Sequence, residues 1–197
     1  MTESFDALLA RIRACRICEA FLPLGPRPVV QASPTARLLI VSQAPGRKVH
    51  ETGIPFNDPS GDRLRDWLGI DRPVFYDPDR IAIIPMGFCF PGTGKGGDLP
   101  PRPECAPQWH PRLLPHLQQV RLTLAIGQYA QVGLLGADRG NTLTDSVRAW
   151  RRHLDGRGIL PLPHPSPRNR LWLTRNPWFE AELLPELRQR VAEALAP

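Results

Sequence analysis

The chain has 197 residues, near the length of one domain at roughly 150 residues each, and its 42% hydrophobic and 22% charged content excludes wholesale disorder. No apolar run approaches the ~20 residues of a membrane span, and the N-terminal stretch lacks the apolar core of a signal peptide. A net charge of +6 rests on 23 arginines against two lysines, and arginine forks bind phosphate bidentately, so a polyanionic partner is expected unless a coding bias toward Arg and Pro explains the excess.

The reading is therefore one cytoplasmic, membrane-free, monomeric domain over residues 1–197. Proline supplies 24 of those residues, well above the usual ~5%, so much of the chain runs in stiff loops. Residues 4–14 carry apolar positions at helical spacing behind Ser4 and predict a helix. Residues 19–35 are proline-rich and irregular. Ala36–Ser42 is a continuous apolar run that suits a strand buried on both faces, ending in the turn Gln43–Gly46 and a loop to Ser60. A helix over 61–69 ends at Gly69, and Arg80–Pro85 is a second buried strand. After a Gly- and Pro-rich loop from Gly87 to Pro107 come a helix at 109–118, a strand at Arg121–Ile126 and a helix from Gly127 to Leu135. Residues 142–154 predict another helix, Gly158–Pro163 a fourth strand, and 178–195 a terminal helix with Leu183, Leu187, Val191 and Leu195 on one stripe. Strands alternating with helices imply a parallel sheet covered on both faces. Loops at strand carboxyl ends build the ligand sites of such sheets, so 43–60, 85–107 and 164–170 are expected to converge on one pocket.

Four cysteines form two pairs, Cys15-x2-Cys18 and Cys89-x15-Cys105. A cytosolic chain of this size has no need of disulfides, and four thiols in two pairs fit a tetrathiolate site, [4Fe-4S] or zinc. Four unrelated buried thiols are the plainer alternative. A bound group would hold the N-terminal helix against the 87–107 loop.

The ordered set of C-x2-C, SQAPG (42–46), TGIPF (52–56), C-x15-C, AIGQYA (125–130) and HPSPRN (164–169) resembles the uracil-DNA glycosylase superfamily, most closely its iron–sulfur branch, family 4. The resemblance runs from about residue 6 to 185 and implies a three-layer α/β/α sandwich on a four-stranded parallel sheet. It favours a [4Fe-4S] cluster over zinc on Cys15, Cys18, Cys89 and Cys105. Phe56 matches the aromatic that stacks on a flipped base, though a core phenylalanine would look the same. His164 matches the histidine that hydrogen-bonds the base as negative charge develops. Pro165, Ser166 and Pro167 look like the turn that contacts phosphate, and Arg168 or Asn169 falls where the superfamily places a wedge.

The departures lie at the chemistry. Gln43 stands where family 4 has glutamate, Ala44 where the best-known family has its water-activating aspartate, and Pro85 where an asparagine reads the base. His50 occupies a position that is acidic in family 4. Backbone N–H groups at Gln43–Ala44 are expected to bind the base, and His50, Asn57 and Asp58 are candidate replacements for the lost groups. Asn57 is the preferred reader or orienter, with Asp58 equally able to be a helix cap. Arg47, Lys48, Lys95, Arg102, Arg168, Arg170 and Arg175 are expected to hold the DNA backbone. The expected function is a monofunctional DNA glycosylase removing uracil or another deaminated or modified base. The alternatives are a weak or inactive relative that binds damaged or single-stranded DNA, and a hydrolase acting on nucleotides or RNA.

Overall fold

The four apolar runs become the four strands of one parallel sheet in a computed structural model that describes residues 3–197. They are β1 (Leu38–Val41), β2 (Ile81–Ile83), and, after the two short strands of a small ribbon, β3 (Thr93–Gly94) and β4 (Gly97–Asp98), β5 (Leu122–Ile126) and β6 (Ile159–Leu162). The sheet order is β2-β1-β5-β6, with Ile40 level with Ile83 on one side and Leu124 on the other. Successive side chains of a strand point to opposite faces, so a run apolar at every position needs a covering layer on each side. Leu38, Ile40, Ile81, Ile83, Leu122, Leu124, Leu160 and Leu162 face one core, and Leu39, Val41, Ala82, Ala125 and Ile159 face another.

The helices divide accordingly. They are α1 (Phe5–Arg13), α2 (Arg47–Thr52), α3 (Pro59–Leu68), α4 (Arg72–Phe75), α5 (Cys105–Leu113), α6 (Gly127–Leu135), α7 (Leu143–Arg148), α8 (Trp150–Arg157), α9 (Arg170–Arg175) and α10 (Leu184–Leu195). α3, α4, α7, α8 and α10 contribute to the first core, where Trp67 meets Phe179 edge-on at 4.9 Å. α1, α5 and α6 contribute to the second. This is the expected α/β/α sandwich. No helix among the described residues is long and apolar enough to cross a membrane.

The outer edge of β2 is sealed by the proline-rich segment. Gln31 exchanges backbone hydrogen bonds with Ile83, and its side-chain amide donates to the Phe75 and Ile81 carbonyls. The other edge strand, β6, carries Pro161, a residue with no N–H to donate and therefore tolerated at an edge. β1 and β5 are neighbours, yet the chain leaves β1 for α3 on one face and β5 for α6 on the other. That divergence opens a crevice at their carboxyl ends.

Several elements differ from expectation. The loop at 43–60 contains α2, too short for its apolar positions to show a period. The loop at 87–107 contains the β3–β4 ribbon, and the helix expected from 109 starts at Cys105 because Pro107 is tolerated within a first turn. The 142–154 helix breaks at Ala149 into α7 and α8. The terminal helix opens with a π turn over Phe179–Leu183, and Pro185 stands in the first turn of α10, where a missing donor costs nothing.

Four of the five histidines are held below their ordinary value of 6.5, His50, His110, His153 and His164, each chiefly by burial. The unfolded chain therefore binds more protons just below 6.5, so this stability is complete above 6.5 and lost as pH falls toward the folded values. Urea midpoints at about pH 7.5 should exceed those at about pH 5.5, and an equal or higher acidic midpoint would show that these rings are not buried as neutral bases.

Candidate active site

A cavity of about 440 Å³ lies at the crevice, in the range of small-ligand pockets, and all three expected loops reach it. Its wall includes Gln43 and Ala44 after β1, Phe56 and Asp58 before α3, Pro85 after β2, Asp98 on the ribbon, and His164, Ser166, Arg168 and Asn169 after β6. The first of these loops is pinned by its backbone, since the Met86 N–H donates to the Ser42 carbonyl and the Gly87 N–H to the Gln43 carbonyl.

Phe56 forms one wall. Among the described residues it is the one non-glycine with positive φ, at 53°. Such a backbone is strained, and persists only where its surroundings over-determine it. Its carbonyl accepts from Arg65 Nη1 and the Tyr76 hydroxyl, and its ring meets Phe75 edge-on at 6.1 Å. Arg65 is 5% exposed, pairs with Asp62 and lies over the Phe75 ring. The Phe56 carbonyl also lies so close to α3 that a Cβ on Gly61 would stand 1.7 Å from its oxygen. Asp58 caps that helix through the Gly61 N–H at 2.9 Å and still lines the cavity.

His164 forms the opposing group. The Ser166 N–H donates to its Nδ1 at 3.2 Å, which fixes the neutral tautomer that carries its proton on Nε2. Burial lowers its pKa from 6.5, while Asp58 and then Asp98 pull it upward. The loop is held by Asn169, whose amide donates to the His164 carbonyl at 2.8 Å, and by Arg63 of α3, which donates to the Pro165 and Ser166 carbonyls. Gly127 lies beside His164, where a Cβ would make ordinary contact at 3.6 Å from His164 Cβ, and it is the backbone at φ +79° that calls for glycine.

Two expected residues do not line the cavity. Asn57 Oδ1 accepts from Arg72 Nη2 at 3.1 Å on the outer side of the loop. His50 is buried in α2 against Phe90, ring centroids 6.0 Å apart, with Nδ1 unpartnered, and its neighbour Val49 lines the cavity instead. Arg168 does reach the rim, where Nη1 donates to the Gly96 carbonyl. Asp98 and Arg63 had no signal in the sequence, because one lies in a glycine-rich loop and the other on a helix face.

The four cysteines line a second cavity, together with Arg102 and Trp109. All four are free thiols. Burial pushes Cys105 up to about 12 and Cys89 up to about 11, and raises Cys18 as well. The Phe88 N–H donates to Cys105 Sγ at 3.3 Å, and Arg102, paired with Glu104, lines this cavity and not the first. Among the described residues no three His, Cys, Asp or Glu side chains gather as a single-ion site. The donor set still fits a thiolate-bound group, because four cysteines and a backbone N–H aimed at sulfur surround one space.

The family model described as the Uracil DNA glycosylase superfamily matches residues 29–188. The match takes in the whole first cavity and Cys89 and Cys105, and begins after Cys15 and Cys18.

Gly61→Ala should displace Phe56 and cost about 1–3 kcal/mol or more by urea unfolding, since the clash is with backbone. Gly96→Ala, with nothing within 4 Å of its Cβ, is the control and should unfold like the parent; equal midpoints for both variants would contradict the geometry at Phe56.

Proposed function

The chain belongs to the uracil-DNA glycosylase superfamily, and from that premise we propose that it is a monofunctional DNA glycosylase. In this reading it hydrolyses the N-glycosidic bond of uracil or another deaminated or modified base extruded from DNA. The observation that carries the proposal is the His164 imidazole, neutral, fixed by Ser166 and lining, with Phe56, a cavity of about 440 Å³ that has room for an extruded nucleotide. Departure of the base leaves negative charge on its carbonyl oxygen and positive charge on the sugar. His164 Nε2–H donates toward that oxygen, an interaction that strengthens as charge develops. Asp58 supplies the carboxylate that the first motif lacks: it stands on the same cavity, coupled to His164, and favours the cationic sugar or orients water. Phe56 stacks on the extruded base, whose flipping costs a few kcal/mol. Exposed arginines around the rim neutralise phosphates, so affinity falls steeply with salt. The protein acts as a cytoplasmic monomer.

Cys15, Cys18, Cys89 and Cys105, which line one cavity, would hold a [4Fe-4S] cluster. When bound, the cluster ties the end of α1 to the segment leading into α5 and is architectural. Protein purified anaerobically should be brown with about four irons per chain, and each Cys→Ala variant should lose them; colourless protein holding zinc would overturn the assignment.

Ala44 and Pro85 favour the second reading, a DNA-binding relative without excision, and one assay separates the two. On single- and double-stranded oligonucleotides carrying uracil, hypoxanthine or xanthine, abasic sites should form, and His164→Ala should slow their formation by about 10²–10³. Asp58→Asn keeps an equally good helix cap, so its stability should match the parent while excision falls by about 10²–10⁴. Salt-sensitive binding with no excision of any base would establish the second reading.

A further inference from the structure

On the glycosylase reading above, the pocket needs a group that recognises the edge of the base, and we infer that Asp98 supplies it: its carboxylate accepts a ring N–H of the extruded base and so determines specificity. The wall at Pro85 reads nothing. Its side chain has no donor or acceptor, and its carbonyl is already paired with His110 Nε2 at 3.0 Å. At the mouth Arg168 has only donors, one of them on the Gly96 carbonyl, and the amides of Asn169 and Gln43 are oriented by donating to the His164 and Leu99 carbonyls, which leaves them only neutral oxygens as acceptors. Asp98 is met only by the Thr93 hydroxyl, at 3.4 Å, and most of its accepting capacity is free.

Its position follows from the ribbon. β3 and β4 carry Asp98 over the loop after β1, and Oδ2 lies 3.2 Å from where a Cβ on Gly46 would stand. That puts a carboxylate on the cavity that also holds the His164 N–H. Asp58 is less suited to the same task, because Oδ1 is tied to the N-terminus of α3. A lactam base presents a carbonyl beside a ring N–H. A donor and a full carboxylate acceptor on one cavity complement that pair, and a charge-assisted hydrogen bond is stronger than one to a neutral amide. A base alkylated at that nitrogen has no proton to give, and its methyl group stands where the exposed Asp98 carboxylate would have accepted.

The test compares oligonucleotides that differ by one methyl group: uracil against N3-methyluracil, and hypoxanthine against N1-methylhypoxanthine. Single-turnover excision is measured for each, and binding is measured with non-cleavable 2′-fluoro nucleotides. The parent protein should prefer the N–H base by about tenfold or more. In Asp98→Ala that preference should vanish because the N–H base slows, and Asp98→Asn, whose carbonyl still accepts, should restore part of it. His164→Ala should slow both bases alike and keep the preference. If Asp98→Ala only speeds the methylated base, or slows both bases equally, the inference is overturned while the glycosylase reading stands. A preference seen in binding, lost in Asp98→Ala and accompanied by no excision, overturns the glycosylase reading and keeps the role of Asp98.

Discussion

The backbone hydrogen bond from the Ser166 N–H to His164 Nδ1 is the interaction on which the site depends. It costs the protein one donor and settles which ring nitrogen carries the proton. With Nδ1 occupied, the neutral ring can offer only Nε2–H, and burial keeps the ring neutral. The bond exists because the turn after β6 is held from two sides, by the Asn169 amide within the turn and by Arg63 from α3. The sheet delivers the turn, two side chains lock it, and one N–H converts that rigidity into a directed donor.

The same helix, α3, organises the opposite wall. Its cap, Asp58, stands two residues after Phe56, and its second turn supplies Arg65 to the Phe56 carbonyl. Gly61 lets the helix lie against that carbonyl. Strain at Phe56 is thus balanced by a cap, a buried guanidinium and a close backbone approach. Capping the helix leaves Asp58 on the cavity: a carboxylate with one oxygen fixed on the helix has the other held in a constant place.

Much of this was legible in the chain. Apolar runs without alternation required a sheet covered on both faces, and helices between them made it parallel, so the pocket had to lie at the carboxyl ends of the strands. His164, Phe56, Gln43 and Ala44 were found there because their motifs sit where those strands end. Asn57 and His50 were not, since position in a loop does not tell which way a side chain turns: Asn57 goes to Arg72 and His50 into the core beside Phe90. Asp98 was invisible for a related reason. Only the pairing of Thr93–Gly94 with Gly97–Asp98 folds a glycine-rich loop back over the cavity, and so short a ribbon leaves no periodic trace. The cysteine spacing pointed to convergence, and the fold brings all four thiols to one space.

An imidazole and a phenylalanine share one cavity with acidic groups that reach it from the cap of α3 and from the ribbon. What joins these parts is the state of one imidazole. Nitrogen-15 NMR of the histidines at neutral pH, with His164 assigned by its alanine variant, measures that state directly. The account requires His164 to be neutral, with the proton on Nε2 and Nδ1 accepting. A proton on Nδ1, or an imidazolium, would contradict it.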